Sequence, residues 1–324
     1  MDLPIRPRRN RKSPGLRALT RETVLCPGDF VLPLFLHDLE VDEVIPSMPG
    51  CKRWSLDGMV NEAGEALSVG VTAVVLFPAI DHSLKTKRGE ECFNREGLVQ
   101  RAIRALKLAY PELVVMTDVA LDPYSIDGHD GILEEGEILN DETVGILCKQ
   151  AVSQAEAGAD IIAPSDMMDG RIGALRGALD LAGYQKVSIC SYTAKYASAY
   201  YGPFRGALGS APKSGDKKSY QMDPSNRREA LRELSLDQDE GADIVMVKPA
   251  GAYLDIISDV RQHTTLPVAA YQVSGEYLMI KSASAEGWIC EESVMMESLI
   301  AIKRAGADVI LTYFAKEAAK ILKE

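Results

Sequence analysis

Four times in this chain a helix-like stretch ends at a glycine and an apolar, β-branched run follows at once. The joints are SVGVTAVVLF around Gly70, EAGADIIAP around Gly158, EGADIVMV around Gly241 and RAGADVILTY around Gly306. A glycine just past a helix takes the left-handed turn that stops it. A short apolar run after it reads as a strand buried on both faces. Further strands are expected over Phe30–Leu36, Val114–Val119, Val187–Ser191 and Pro267–Tyr271, giving eight that begin near residues 30, 73, 114, 161, 187, 243, 267 and 308. Between them lie helix-like segments such as Arg95–Ala109, Thr143–Ala157, Asn226–Glu240 and Val294–Ala305. Strand and helix alternating to eight is the pattern of a closed parallel barrel, the α/β (β/α)8 or TIM barrel. An open doubly wound sheet fits less well, because no glycine-rich dinucleotide loop follows the first strand. The expected organisation is an extended N-terminal arm over 1–25 and a barrel over 26–324.

The 324 residues are 46% hydrophobic, enough for a large core, and carry a net charge of -11. An acidic surface repels nucleic acid and anionic membrane, and no apolar run approaches the roughly 20 residues of a membrane span. Neither nucleic acid nor membrane is therefore expected as a partner. None of the six cysteines belongs to a CxxC pair, which argues against a disulfide framework or a zinc ribbon. Reduced, mostly buried thiols and a cytoplasmic location are expected. The start, MDLPIRPRRNRKSPG, is basic without the apolar region of a secretory signal; as the remnant of a transit peptide it would be short. Its Arg6, Arg8, Arg9, Arg11 and Lys12 fit docking on an acidic neighbouring subunit better than binding nucleic acid.

In a barrel the active site lies where the strands end. The third strand ends in Asp118 and runs on to Asp122; the fourth ends in Ser165 and Asp166. The fifth leads past Ser191 and Tyr192 to Lys195, the sixth ends in Lys248, the seventh in Tyr271 and Ser274, and the eighth in Tyr313. A lysine directly after an apolar strand is unusual. Burial lowers its pKa, and the neutral amine attacks ketones. By itself Lys248 is equally well read as a rim lysine paired with a carboxylate. Lys195 on the neighbouring strand changes this, since two ammonium groups at one pocket each disfavour the other's charge. Gly202–Asn226 lacks periodicity and is rich in Gly, Ser, Pro and Lys, so it is expected to be a lid over the barrel mouth. Its Arg205, Lys217 and Gln221 suit a substrate carboxylate. Ser274 and Tyr313 could hold a second carboxylate or be plain structural hydrogen bonders. DVALDPYSIDGHDG gathers Asp118, Asp122, Asp127, His129 and Asp130, a set that could hold a hard cation or simply favour turns.

These segments resemble the porphobilinogen synthase (5-aminolevulinate dehydratase) family over nearly the whole chain. The resemblance is carried by RPRRNR, DVALDPYSIDGHDG, APSDMMDGR, SYTAKYASAYYGPFR, YQMDP, MVKPAGAYLDI and YQVSGEY. It implies a (β/α)8 lyase that condenses two 5-aminolevulinate molecules to porphobilinogen, losing two waters, in tetrapyrrole biosynthesis. Lys248 and Lys195 would form Schiff bases with the substrates that become the propionate and acetate sides respectively. Ser274 and Tyr313 would hold the first carboxylate, and Arg205, Lys217 and Gln221 the second. Where zinc-dependent members carry three cysteines, this chain has Ala120, Asp122 and Asp130. The resemblance is therefore to the aspartate-rich, magnesium-responsive type, with no catalytic zinc. Asp118, Asp122, Asp130 and Ser165 would bind substrate or move protons. Glu233 matches the glutamate of an allosteric Mg²⁺ site, and the arm would wrap a neighbour in a homo-octamer. A class I aldolase would need only one such lysine, and a barrel binding RNA through its basic arm would need neither.

Overall fold

The computed structural model describes residues 3–323. Eight parallel strands close on themselves: β1 (Phe30–Leu36), β2 (Ala73–Pro78), β3 (Val114–Val119), β4 (Ile161–Pro164), β5 (Ser188–Lys195), β6 (Ile244–Lys248), β7 (Val268–Gln272) and β8 (Val309–Thr312). Each pairs with the next, and β1 meets β8 through Phe30–Ile310 and Val31–Leu311. The eight starts fall within one residue of expectation. Around them lie α1 (Leu56–Ser68), α2 (Leu98–Ala109), α3 (Asn140–Ala157), α4 (Arg171–Leu181), α5 (Glu229–Asp239), α6 (Leu254–His263), α7 (Glu291–Ala305) and α8 (Ala315–Lys323), with Ser274–Ala285 as an extra helix before α7. α3 and α7 begin a turn earlier than the apolar pattern indicates. Each gains two acidic residues in its first turn, Asp141 and Glu142 or Glu291 and Glu292, which favour a helix N-terminus.

The GAD joints do more than stop helices. Asp160, just before β4, accepts a hydrogen bond at 2.8 Å from the Val115 N–H at the start of β3. Asp243, before β6, accepts from Ile189 of β5 at 2.8 Å, and Asp308, before β8, accepts from Val268 of β7 at 2.9 Å. In each case the aspartate's own N–H donates back to the carbonyl of the same residue, at 3.0, 3.0 and 2.7 Å. Three even-numbered strands are thus clamped to the odd strand before them. The first joint has Thr72 at this position and bonds only through its backbone.

Three expectations need correction. β5 does not stop near Ser191 but continues to Lys195. The stretch 202–226 is not structureless at its start: Gly202–Leu208 is helical, with Pro203 in the first turn and Gly209 in the left-handed conformation at its end. These are the standard start and stop residues, and the segment is simply too short to show a period. The thiols are not mostly buried: Cys92 and Cys190 are, Cys51 and Cys148 are half-buried, and Cys26 and Cys290 are exposed. None of residues 3–24 is buried, and the two helical turns there, Pro7–Arg11 and Pro14–Leu19, pack on each other. Among the described residues no helix is long and apolar enough to cross a membrane.

The clamp can be measured. Asp160 also binds Lys107 at 3.0 Å. Replacing it with Ala strands the Val115 N–H and should lower unfolding stability by about 1–2 kcal/mol. Asp160→Asn, which keeps an acceptor, should lose less than half of that. Equal urea midpoints for wild type and Asp160→Ala would show that the clamp contributes nothing.

Candidate active site

The two lysines meet because of an irregularity in β5. Ile244 pairs with Cys190 and Val245 with Ser191, but Val247 then pairs with Ala194 and Lys248 with Lys195. One extra residue on β5 is absorbed between these pairs, as in a β-bulge. Without it Lys248 would face Ala194. With it both amines leave adjacent strands, about 4.8 Å apart, on the same side of the sheet.

Their environments differ sharply, although each residue is only 6% exposed. The Lys248 Nζ has no anionic partner among the described residues. It lies 4.6 Å from the ring centre of Tyr271, 5.0 Å from Tyr192, 5.2 Å from Phe204 and 5.3 Å from Tyr201. Burial, and next the charge of Lys195, push its pKa down to about 7. The Lys195 Nζ instead donates to Asp130 at 3.2 Å and to the Ser165 backbone carbonyl.

The three aspartates are equally unlike one another. Burial and then Asp122 raise Asp118 to about 7. Burial also raises Asp122, with Lys217 opposing the rise and Asp130 adding to it. Asp130 is held below the carboxylate range: burial works against this, but Lys195 and Lys217 outweigh it. Asp130 is the hub, bonded to Lys195, to Lys217 at 2.6 Å and to Gln221 at 3.2 Å. Lys217 also reaches Asp122 at 3.4 Å. Arg205 lines the same pocket and forms no ion pair among the described residues.

The structure therefore brings Lys195, Lys248, Asp118, Asp122, Asp130, Ser165, Arg205, Lys217 and Gln221 around one pocket. Asp118 Oδ1, Gln221 Oε1 and Ser210 Oγ there are buried without a partner among the described residues, the mark of groups that await a ligand or water. The free space is only about 30 Å³, room for little more than a water. Ser274 and Tyr313 do not line this pocket. The Ser274 hydroxyl accepts from the Phe204 N–H at 3.1 Å. The Tyr313 hydroxyl meets that of Tyr271 at 3.1 Å, and its ring stacks on Phe35. Glu233 lies elsewhere, half-buried on α5 in a cleft with Asp169, Asn140 and Asp223. Burial raises its carboxyl; Arg171 opposes the rise, and Asp237, Asp169 and Glu229 add to it. Among the described residues no three His, Cys, Asp or Glu side chains converge to hold a metal ion.

Sequence reasoning missed the aromatic surroundings of Lys248. The signal was present, since Tyr192, Tyr201 and Phe204 fall within the thirteen residues around Lys195, but tyrosine and phenylalanine near a strand read equally well as core. Ser210 was missed as well, a serine in a polar loop with no pattern around it.

A parallel barrel with two amines at its mouth, one of them titrating near pH 7, and a free guanidinium beside them is the frame of an enzyme acting on carbonyl compounds that carry carboxylates. The family described as delta-aminolevulinic acid dehydratase matches residues 4–321, and the chain belongs to that family. It is 62% identical over 320 residues to the chloroplastic delta-aminolevulinic acid dehydratase of Glycine max, covering 98% of this chain and 77% of that protein. With the chloroplastic delta-aminolevulinic acid dehydratase of Physcomitrium patens it shares 60% over 323 residues, covering 99% and 74%. A crystal structure of the Toxoplasma gondii ME49 dehydratase in complex with the reaction product porphobilinogen superposes with a TM-score of 0.97 at 52% identity, covering 98% of this chain and 92% of that one. The activity is that of porphobilinogen synthase, a lyase of tetrapyrrole biosynthesis that acts on 5-aminolevulinate. The expected cytoplasmic location does not stand, because the plant relatives are named chloroplastic. The absence of CxxC pairs speaks to the redox state of the thiols, not to which compartment holds a reduced protein.

A reagent that acylates only neutral amines should modify Lys248 with a rate that rises as pH increases through about 7. In Lys195→Met the midpoint should move up, because a neighbouring positive charge is gone and Asp130 is released. Peptide mapping reads the site; a midpoint that falls in this variant would sink the electrostatic account.

Proposed function

We propose that Lys248 forms the first imine with 5-aminolevulinate and that Lys195 engages the second molecule. The observation carrying this is the contrast between the two amines: Lys248 is unpaired and lowered to about 7, while Lys195 is tied to Asp130 and Ser165. A neutral amine adds to a ketone, and loss of water gives the imine. The second substrate can reach Lys195 only as the Lys195–Asp130 pair loosens, which gives Asp130 a proton to accept. Asp118, with its pKa near 7, can give or take a proton at neutral pH. Carbon–carbon bond formation, imine exchange and loss of the second water then close the ring.

Arg205, Lys217 and Gln221 are assigned to one carboxylate. Arg205 is free for it, whereas Lys217 must trade Asp122 and Asp130 for the substrate. Ser274 and Tyr313 are assigned to the other. The Phe204 ring packs beside Lys248, Phe35 and Phe77, and the Phe204 N–H occupies the Ser274 hydroxyl. Movement of this one residue would free Ser274 and open space at Lys248. Residues 202–226 are thus read as a lid caught closed, consistent with a pocket too small for two substrates.

The active site is proposed to work without zinc, since carboxylates rather than thiols stand at Asp122 and Asp130. Glu233 is proposed as the protein ligand of a regulatory Mg²⁺. This ion keeps several waters and takes one or two carboxylates, so a single glutamate in a polar cleft suits it. The wall formed by Tyr220–Met222 borders both that cleft and, through Gln221, the lysine pocket. An octamer joined by the arm is supported by Ile5, Leu19 and Val24, apolar side chains 82%, 81% and 64% exposed in the single chain. The relatives' names support a plastid setting.

Borohydride reduction with 5-aminolevulinate should label Lys248 first. Lys248→Ala should fold and lose essentially all turnover, and near-normal activity in it would remove the assignment. After chelation, activity should persist in part and rise with Mg²⁺ alone. Loss restored only by Zn²⁺ would overturn the metal reading, and an unchanged Mg²⁺ response in Glu233→Gln would move the regulatory site elsewhere.

A further inference from the structure

Four consecutive residues after β3 each meet the segment 202–226. The Lys213 N–H donates to the Asp127 carbonyl at 3.0 Å. Gly128 has φ +71°, and a Cβ there would come within 2.4 Å of the Ala211 carbonyl oxygen, so the two backbones touch with no room for a side chain. His129, 3% exposed, has its Nε2 2.9 Å from the Ser214 carbonyl and its Nδ1 3.1 Å from the Tyr220 hydroxyl. Asp130 holds Lys217 and Gln221 by its carboxylate, and its N–H reaches the Tyr220 hydroxyl at 3.3 Å.

The partners fix the hydrogen positions. A carbonyl only accepts, so Nε2 carries the proton and donates to Ser214. With the proton on Nε2, Nδ1 is placed to accept from the Tyr220 O–H, whose oxygen is left to accept from the Asp130 N–H. Every donor meets an acceptor, and one phenol joins the ring of His129 to the backbone of Asp130.

We propose that Asp127–Asp130 is a fastener for the segment above it, with His129 and Tyr220 as positioning residues for Asp130. Closing residues 202–226 and setting Asp130 between Lys195 and Lys217 are then one event. This rests on reading 202–226 as the lid. It adds a reason why the closed state is catalytically ordered: the residues that hold the segment down are covalently continuous with the carboxylate that holds Lys195.

The test uses the intact enzyme with Tyr220→Phe, Gly128→Ala and a pair of His129 variants. Tyr220→Phe removes only the bridging hydroxyl, and Gly128→Ala inserts a methyl group where the backbones touch. Limited proteolysis within 202–226, with and without porphobilinogen, is read alongside steady-state kinetics. Product should protect the wild-type segment. Both variants should be cut faster without product. KM for 5-aminolevulinate should rise about two- to tenfold in Tyr220→Phe, the range for one neutral hydrogen bond, with kcat within about twofold. His129→Gln, which keeps a donor in reach of Ser214, should recover much of the protection lost in His129→Ala. Wild-type protection with both variants cut and turning over like the wild type would remove the fastener and leave the lid. A wild-type segment cut equally with and without product would remove both. A fall in kcat at unchanged KM would show that Tyr220 serves the chemistry rather than closure.

Discussion

Everything at the mouth of this barrel depends on one extra residue in β5. Parallel strands in uniform register would set Lys248 opposite Ala194, with Lys195 turned to the other face. The irregularity spends backbone regularity to bring two amines side by side. Mutual repulsion then has to be managed, and the two lysines receive opposite solutions. Lys248 is enclosed by four aromatic rings and driven toward neutrality, while Lys195 keeps a carboxylate and a carbonyl as partners.

The carboxylates follow the same division. Asp118, which forms no ion pair among the described residues, is raised by burial and by Asp122 to about 7; Asp130, flanked by two ammonium groups, stays ionised. Titratable groups whose surroundings push them apart make separate proton donors and acceptors in a small space. Asp130 is also where the barrel and the segment above it share a residue, since it binds Lys195 from β5 and Lys217 and Gln221 from 202–226.

Much of this was legible in the sequence, for identifiable reasons. The strands showed because glycine-stopped helices feeding apolar runs leave a periodic trace, and the ends of those runs pointed to Lys195 and Lys248. The role of the GAD aspartates was hidden, because a side chain that bonds an adjacent strand's backbone leaves no spacing to read. The extension of β5 through Tyr192–Lys195 was hidden because Thr193 and Lys195 interrupt the apolar run by which these strands are recognised. Ser274 and Tyr313 lie at strand ends as expected but under Phe204 and beside Tyr271, outside the lysine pocket. A linear sequence does not tell which strand-end hydroxyls a neighbouring loop will occupy.

The rings around Lys248 have a second consequence. They exclude water, and a compact ammonium loses more hydration there than it regains. The iminium formed from the same nitrogen in the proposed reaction is a different cation: flat and diffuse, its charge shared between the nitrogen and the former carbonyl carbon. Aromatic faces attract such weakly hydrated cations. The enclosure would therefore disfavour the resting cation and favour the reactive one, so that a single set of side chains sets the lysine's basicity and the lifetime of its adduct together.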